Sequence, residues 1–521
     1  MKHSRFSALF ACALLAGLLS GCNPPRDAPS TPPKAVQVAQ TAEKATPEGR
    51  LIDESWQVNF LHGAKLGYGH AVVRSLELPQ GEVVRTTVTQ TLRLQRYGQT
   101  TDETLSFSCD DTPTGQVIAF DCQAAAMGLQ AKGKMAGDFL QITTATKGKS
   151  STETIPWNKE TFGYYGLDDS FRRQPMQPGE KRRVKWLQPL LHLVSEDTLE
   201  AEAEEEVDLL GEKRKLLKIK CTGQLGKQKI HRTLWTDEQG LIWKSANPES
   251  GEENFRTTEE VAKAPSESAF DLGLSTIVKV SRSLDNPHET NRIAYRATLK
   301  HRNPADVFIA YDSQSVNANG EHTAEIVVRR VQSAESPQVE PKVALPEPAD
   351  LAANNLIQSD DQLVRQMAAK IAEDEQDPVK IAMALEKSVH TQMRSKSNFS
   401  TAFATAADVA KSLSGDCTEH AVLLAALLRA RKIPARVVAG LVYVSANPEK
   451  KMPQGFAYHM WTEAWTGDHW LPLDATLGRG GIGAAHLKLS DSNLNGVSAL
   501  EALLPVMNVL GQLELEILEV E

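Results

Sequence analysis

The chain lacks an excess of basic residues, and beyond its first 22 residues it lacks any apolar run long enough to span a bilayer. Its formal net charge is −9 and its pI is about 5.9, whereas a nucleic-acid-binding protein usually presents a basic face. A transmembrane helix needs ~20 consecutive apolar residues. We therefore expect neither nucleic-acid binding nor a membrane-spanning helix.

The N-terminus has the features of an export signal. A short basic start, Met1–Arg5, precedes an apolar run, Phe6–Leu19, that is too short for a comfortable membrane span. The run ends in Leu19-Ser20-Gly21-Cys22, which resembles the bacterial lipobox. This resemblance implies that residues 1–21 are removed as a signal peptide and that Cys22 is lipidated. The alternative is an ordinary signal peptide with an incidental cysteine.

The residues after Cys22 extend this prediction. Asn23 stands where an aspartate commonly retains such lipoproteins in the inner membrane. The resemblance therefore implies a lipoprotein of the cell envelope, on the periplasmic face of the outer membrane if the organism is Gram-negative. Residues 22–50 are rich in proline and poor in large apolar residues, which predicts an extended lipidated tether.

Cysteine is scarce, and four cysteines lie beyond the tether: Cys109, Cys122, Cys221 and Cys417. Exported proteins meet an oxidising compartment, in which nearby thiols tend to pair. Cys109 and Cys122 flank a turn-like segment, residues 110–115, and are the predicted disulfide. Cys221 could compete for either partner, and Cys417 is expected to remain a thiol.

The rest of the chain divides into three predicted domains. Residues 51–262 contain strand-like alternation, for example over Val83–Leu94. Residues 268–335 predict a small β-sandwich. In residues 349–521 apolar residues first recur at helical spacing, and predicted strands follow the predicted helices. The predicted fold class is therefore α+β, with two β-rich domains before a C-terminal α+β domain. The candidate strands of the small domain are Thr276–Leu284, Arg292–Leu299, Val307–Tyr311 and Thr323–Val331.

One segment places a cysteine at the start of a helix. Gly415 permits a sharp turn before Cys417, and the apolar helix that follows is predicted to run to about Lys432. The helix dipole and unpaired N–H groups at such a start stabilise a thiolate, and the same N–H groups can bind an oxyanion. Cys417 is therefore the candidate nucleophile, with a buried structural cysteine as the alternative.

A predicted hairpin brings a histidine and an aspartate together. A two-residue turn at Gly467-Asp468 joins two predicted strands, Tyr458–Thr466 and His469–Ala475. This turn places Asp474 diagonally across from His459 on the same face, where side chains can meet over ~7–8 Å of backbone separation. Asp474 could then accept a hydrogen bond from one ring nitrogen of His459 while the other faces the candidate nucleophile.

Residues ~350–490 resemble the transglutaminase-like core, a branch of the papain-like cysteine fold. The resemblance implies that Cys417, His459 and Asp474 form a catalytic triad. The segments that carry it, in family order, are Gly415-Asp416-Cys417-Thr418-Glu419-His420-Ala421, Arg429-Ala430-Arg431-Lys432-Ile433-Pro434-Ala435-Arg436-Val437-Val438, His459-Met460-Trp461-Thr462-Glu463-Ala464 and Trp470-Leu471-Pro472-Leu473-Asp474-Ala475-Thr476.

Two departures from the family affect the expected reaction. Animal cross-linking transglutaminases use a tryptophan upstream of the cysteine to bind the oxyanion, and no tryptophan lies between Trp243 and Trp461 here. No EF-hand-like calcium loop is visible. We therefore favour an envelope-anchored protease or amidase that acts through a thioester. The alternatives are a cross-linking transglutaminase and a non-enzymatic envelope binding or scaffold protein.

The location alone suggests a peptide, protein or peptidoglycan substrate, with the membrane reached through the lipid on Cys22. We predict no cofactor and no metal. A metal hydrolase is the third possibility, because Cys417 and His420 have the spacing of half a zinc site, although no second pair is obvious. Structural packing is the favoured interpretation of His420.

Overall fold

The computed structural model describes residues 49–521 except 80, 97–98, 125–128, 147–148, 190, 226–227, 267–270, 333–343, 395–403, 449–451 and 496–503. The predicted signal peptide, the predicted lipidation site Cys22 and nearly all of the predicted tether lie outside the described residues. Among the described residues, no helix is both long and apolar enough to cross a membrane.

A fifteen-stranded sheet occupies the first half of the chain. Consecutive strands pair from β1 to β8 and from β9 to β15. Strand β1 also pairs with β15, which joins the two series, so that β8 and β9 are the edge strands. Burial alternates along many strands, because successive side chains point to opposite faces. The strands are β1 (Arg50–Leu61), β2 (Ala64–Leu78), β3 (Gly81–Arg96), β4 (Gln99–Asp111), β5 (Val117–Ala124), β6 (Leu129–Ala136), β7 (Phe139–Thr146), β8 (Lys149–Pro156), β9 (Thr161–Phe162), β10 (Lys181–Gln188), β11 (Leu193–Leu209), β12 (Glu212–Leu225), β13 (Gln228–Thr236), β14 (Ile242–Asn247) and β15 (Glu252–Thr257). Two helices accompany them: α1 (Gly166–Arg173) and α2 (Glu259–Lys263).

The predicted disulfide is wrong, since Cys109 and Cys122 are both thiols. They lie on β4 and β5, where Cys109 pairs with Phe120 and Cys122 pairs with Phe107. The two cysteines are therefore diagonal neighbours, ~7–8 Å apart, whereas a disulfide joins Cα atoms ~4.4–6.8 Å apart. The possible competitor Cys221 lies on β12 and is also a thiol.

The strands of the predicted small β domain pair with strands from the C-terminal third of the chain. A four-stranded sheet has the order β18-β19-β17-β26, while β16 pairs with β22 and β20 pairs with β24. The domain boundaries remain a prediction. The strands between residues 278 and 332 are β16 (Val278–Lys279), β17 (Arg292–Thr298), β18 (Gln314–Ala318), β19 (Thr323–Arg329) and β20 (Val331–Gln332). Those of the C-terminal third are β21 (Ala435–Val444), β22 (Gly455–Trp465), β23 (Trp470–Leu473), β24 (Gly481–Ile482), β25 (His486–Ser492) and β26 (Glu514–Val520).

The strand predicted at Val307–Tyr311 is wrong. The chain forms a 3₁₀ turn at Pro304–Asp306, capped by Asn303, whose side-chain oxygen accepts from the backbone N–H of Ala305 at 2.9 Å. Val307 and the residue after it then donate to the Pro304 carbonyl and bury their side chains. Local capping therefore satisfies a backbone that the apolar pattern predicted to be extended.

The C-terminal third holds helices packed on a mostly antiparallel sheet, so the α+β prediction holds there, while the chain as a whole is mainly β. Its helices are α3 (Gln362–Lys370), α4 (Pro378–Gln392), α5 (Ala406–Ser412), α6 (Cys417–Ala430) and α7 (Leu504–Met507). Helix α6 is buried from Cys417 to Arg429, because α3, α4 and α5 pack around it and β22 and β21 lie against it. A helix apolar all round is typical of such a central position.

A buried ion pair joins the two strands that flank β21. The Lys488 ammonium on β25 lies 2.7 Å and 2.8 Å from the two carboxylate oxygens of Glu463 on β22. Arg436 of β21 donates to the same carboxylate at 2.7 Å. Lys488 and Glu463 are both 0% exposed, so each charge needs its partner. The pair fixes β22 and β25 relative to each other.

Replacing Lys488 with methionine is expected to lower the free energy of unfolding by about 3 kcal/mol, because Glu463 keeps a buried charge with one partner fewer. Lys380, whose ammonium lies 3.8 Å from Glu375 on the surface of the same region, provides the matched control. Lys380→Met should cost less than about 1 kcal/mol. Urea unfolding measures both, and equal losses would contradict the proposed importance of the buried pair.

Candidate active site

Cys417 is the first residue of α6, and a capping box fixes the turn before it. The Asp416 carboxylate accepts from the backbone N–H of Thr418 at 3.1 Å, and the Glu419 carboxylate accepts from the N–H of Asp416 at 2.9 Å. A Cβ on Gly415 would lie 2.2 Å from the Glu419 Cβ. Glycine is thus required here by close packing against the capping glutamate, rather than by a left-handed turn.

His459 and Asp474 are brought together as the hairpin prediction required. Strands β22 and β23 pair with Trp465 opposite Trp470 and Thr462 opposite Leu473, the register set by a two-residue turn. The Nε2 atom of His459 lies 2.8 Å from Oδ2 of Asp474. The predicted contact is confirmed.

The nucleophile candidate completes the cluster. The His459 side chain hydrogen-bonds to Cys417 as well as to Asp474, and because Nε2 faces Asp474, Nδ1 is the ring atom left for Cys417. Strand β22 is held against α6 by the Thr462 hydroxyl, which donates to the Ala421 carbonyl at 3.0 Å. Cys417, His459 and Asp474 are 0%, 1% and 0% exposed, so their charges interact away from solvent.

The charges of the cluster support one another. Burial opposes a positive charge on His459, but the negative charges of Asp474 and Cys417 outweigh it and raise the pKa of His459 above its ordinary value. Burial also opposes the charge on Asp474, and the charge and hydrogen bond of His459 together with a hydrogen bond from His486 hold its pKa well below the ordinary value. The site thus favours an ionised aspartate beside an imidazolium.

Sequence reasoning missed a second histidine on Asp474. The Nε2 atom of His486, on β25, lies 3.1 Å from the same Oδ2 atom that contacts His459. His486 reaches this position because β25 pairs with β21, with His486 opposite Val442. No motif or regular spacing links it to Asp474, so only strand pairing across β21 reveals it.

A buried glutamate was missed as well. Glu386 on α4 accepts from the backbone N–H of Asp474 at 3.0 Å and from that of Gly480 at 2.8 Å. Burial and the negative charge of Asp474 raise the pKa of Glu386 to about 8. Glu386 holds the backbone on both sides of the turn that presents Asp474. The only sign of this role in the sequence is that Glu386 is a charged residue at a buried position of an amphipathic helix.

One group of three side chains among the described residues could hold a metal ion: His459, Asp474 and His486, whose ligand atoms lie within 4.8 Å of one another. Hydrogen bonds between these groups already account for their approach. His420 does not belong to the group. Its Nδ1 donates to the Asp416 carbonyl at 2.6 Å and burial lowers its pKa, which agrees with the structural interpretation of this residue.

Residues 365–475 match the model of the transglutaminase-like superfamily. These residues are a transglutaminase-like domain. The match includes Cys417, His459 and Asp474, and it confirms the resemblance predicted from the four motifs. It places the domain in a family of cysteine enzymes. No curated protein matches the chain.

Three solved structures are similar to parts of this chain at low TM-scores. A candidate cysteine protease from Cytophaga hutchinsonii is 18% identical, with 40% of this chain and 78% of that chain covered and a TM-score of 0.27. A β-barrel-like protein of DUF1849 from Brucella abortus is 10% identical, with coverages of 39% and 94% and a TM-score of 0.29. The periplasmic domain of TgpA from Pseudomonas aeruginosa, bound to ethylmercury, is 18% identical, with coverages of 37% and 74% and a TM-score of 0.25.

The raised pKa of Glu386 predicts a pH dependence of stability in the transglutaminase-like domain. The folded state holds this proton up to about pH 8, whereas the ordinary pKa is 4.5. The stability that Glu386 contributes is therefore present below pH 4.5 and is lost as the pH rises towards 8. Glu386→Gln cannot ionise, so its free energy of unfolding should fall less steeply across this window. Urea unfolding at several pH values tests this, and parallel curves for the two proteins would contradict it.

Proposed function

We propose that the protein is a cysteine enzyme that hydrolyses amide bonds through a thioester on Cys417. The observation that carries the proposal is the continuous chain of hydrogen bonds from Cys417 through His459 to Asp474, with the Nε2–Oδ2 distance of 2.8 Å. A nucleophile, a base within reach and a group that orients the base are the parts required for covalent catalysis.

The thiolate depends more on His459 than on the helix dipole. The Asp416 carboxylate accepts from the N–H groups of Thr418 and Glu419, so part of the positive helix end is neutralised by the cap. The imidazolium of His459, whose pKa is raised by the charges of Asp474 and Cys417 against the effect of burial, supplies the main compensating charge. A thiolate–imidazolium pair is thus the proposed resting state.

In the proposed reaction, the Cys417 sulfur attacks the amide carbonyl carbon, and the carbon–oxygen double bond opens to an oxyanion. The backbone N–H of Cys417, at the helix start, is the proposed oxyanion donor. The oxyanion collapses, the carbon–nitrogen bond breaks, and Nδ1 of His459 gives its proton to the departing amine. His459 then takes a proton from water, whose oxygen attacks the thioester and releases the carboxylic acid. Cleavage of the carbon–sulfur bond restores the thiolate.

Hydrolysis is proposed over cross-linking because no tryptophan lies between Trp243 and Trp461, so the upstream indole donor of the animal cross-linkers has no counterpart. An amine in place of water would give cross-linking by the same thioester. We further propose that the enzyme is anchored in the cell envelope by lipid on Cys22, and that it acts there on a peptide, protein or peptidoglycan substrate.

The thiolate–imidazolium pair is expected to be visible in the ultraviolet absorbance of wild type minus Cys417→Ala as the pH is varied. The thiolate signal should persist well below the ordinary cysteine pKa of ~8.5, because the charge of His459 stabilises it. This measurement requires no access of a reagent to the buried sulfur. A signal that appears only near the ordinary pKa would contradict an activated nucleophile.

The reaction type is tested by incubating wild type and Cys417→Ala with envelope extracts and comparing the products by mass spectrometry. Hydrolysis should release new peptides or amines in the wild-type sample alone, because Cys417→Ala lacks the sulfur that forms the thioester. New isopeptide bonds would identify cross-linking instead. Identical product profiles for the two proteins would overturn the enzymatic proposal.

A further inference from the structure

Two imidazoles converge on one carboxylate oxygen in the candidate active site. Oδ2 of Asp474 lies 2.8 Å from Nε2 of His459 and 3.1 Å from Nε2 of His486. Oδ1 of the same carboxylate accepts from the backbone N–H groups of Thr476 at 2.9 Å and Leu477 at 3.3 Å. The carboxylate is therefore held by four donors, two on each oxygen.

The direction of the hydrogen bond to His486 follows from the charge of Asp474. An ionised carboxylate can only accept, so His486 must carry a proton on Nε2 and donate it. Its environment favours the neutral ring, because burial and the nearby positive charge of His459 lower the pKa of His486 despite the hydrogen bond to Asp474. His486 is thus a neutral donor with a fixed tautomer.

The ring of His486 is held on two further sides. Trp461 meets it edge to face, with centroids 5.4 Å apart, and His288 does so at 5.8 Å. Burial lowers the pKa of His288 to about 4, so that ring is neutral near neutral pH. The titratable groups that face His486 are therefore Asp474, His459 and His288, and only the first two are charged in the proposed resting state.

We infer that His486 is a positioning residue for the proposed triad. By donating Nε2–H to Oδ2, it fixes the plane of the Asp474 carboxylate, and this plane aligns the imidazole of His459. This inference rests on the proposed function. Without His486, Oδ2 keeps a single donor, and the carboxylate can tilt as far as the two backbone hydrogen bonds to Oδ1 allow. His459 then loses alignment towards Cys417, although no atom of the triad is removed.

The inference is tested with His486→Leu, His486→Gln and the control His288→Gln in the full chain, each compared with the same variant carrying Cys417→Ala. The readout is the ultraviolet absorbance of the Cys417 thiolate, which needs no access of a reagent to the buried sulfur. His486→Leu should raise the pH midpoint of the thiolate signal by about one to two units, as expected for a lost hydrogen bond to a charged group. His486→Gln, whose amide N–H can still donate to Oδ2, should restore most of the wild-type profile.

The control separates packing from positioning. His288→Gln alters the ring that packs on His486 but removes no donor from Asp474, so its thiolate profile should match wild type. If His486→Leu keeps the wild-type profile, or if His486→Gln fails to restore it while both variants remain folded by circular dichroism, the positioning role is overturned.

Failure of this inference is distinguishable from failure of the proposed function. A wild-type thiolate signal at low pH together with an unaffected His486→Leu profile rejects the role of His486 and leaves the cysteine enzyme in place. Absence of the low-pH thiolate in wild type rejects the proposed function itself. If metal analysis finds one zinc ion per chain and this zinc is lost in His486→Leu, the role of His486 is metal coordination and not hydrogen bonding. That result would also overturn the inference.

Discussion

The structure of the site depends on one buried negative charge, the carboxylate of Asp474. An isolated carboxylate removed from water is strongly unfavourable, and this one is 0% exposed. Four donors, one of them the imidazolium of His459, compensate for the lost hydration. These donors come from β22, β25 and the turn after β23, so the elements must assemble in one arrangement before the charge is stabilised. The same charge raises the pKa of His459, on which the proposed thiolate depends.

The carboxyl group of Glu386 lies near Asp474, yet the site keeps only one negative charge on the Asp474 side of the His459 ring. Glu386 also bonds to the backbone of the Asp474 turn, yet burial and the charge of Asp474 raise its pKa to about 8. The two acids have opposite protonation because two adjacent buried carboxylates repel each other. Glu386 therefore supports the turn without competing for His459, and His486 contributes a donor without adding charge.

Local patterns predicted much of this site. A two-residue turn fixes the parity of β22 and β23, and parity alone places His459 and Asp474 on one face. The capping residue Asp416 and the apolar residues after Cys417 determine where α6 begins. The same kind of reasoning failed where distant partners decide the outcome. Cys109 and Cys122 were expected to pair from their spacing, but the strand register makes them diagonal neighbours. The apolar run at Val307–Tyr311 was expected to be a strand, but its first two residues are buried directly after a capped 3₁₀ turn.

The sequence by itself predicted that Cys417, His459 and Asp474 come together, because these residues lie at a helix start and in a hairpin whose geometry follows from a few neighbouring residues. It also determined the strand-rich character of the first half, through the alternation of apolar and polar residues. Only the tertiary structure decided that His486 and Glu386 surround Asp474, and that the final strand β26 joins the sheet of β17. These contacts join segments far apart in the chain. Local residue spacing therefore does not predict the pairing of β25 with β21 or the packing of α4 against the site.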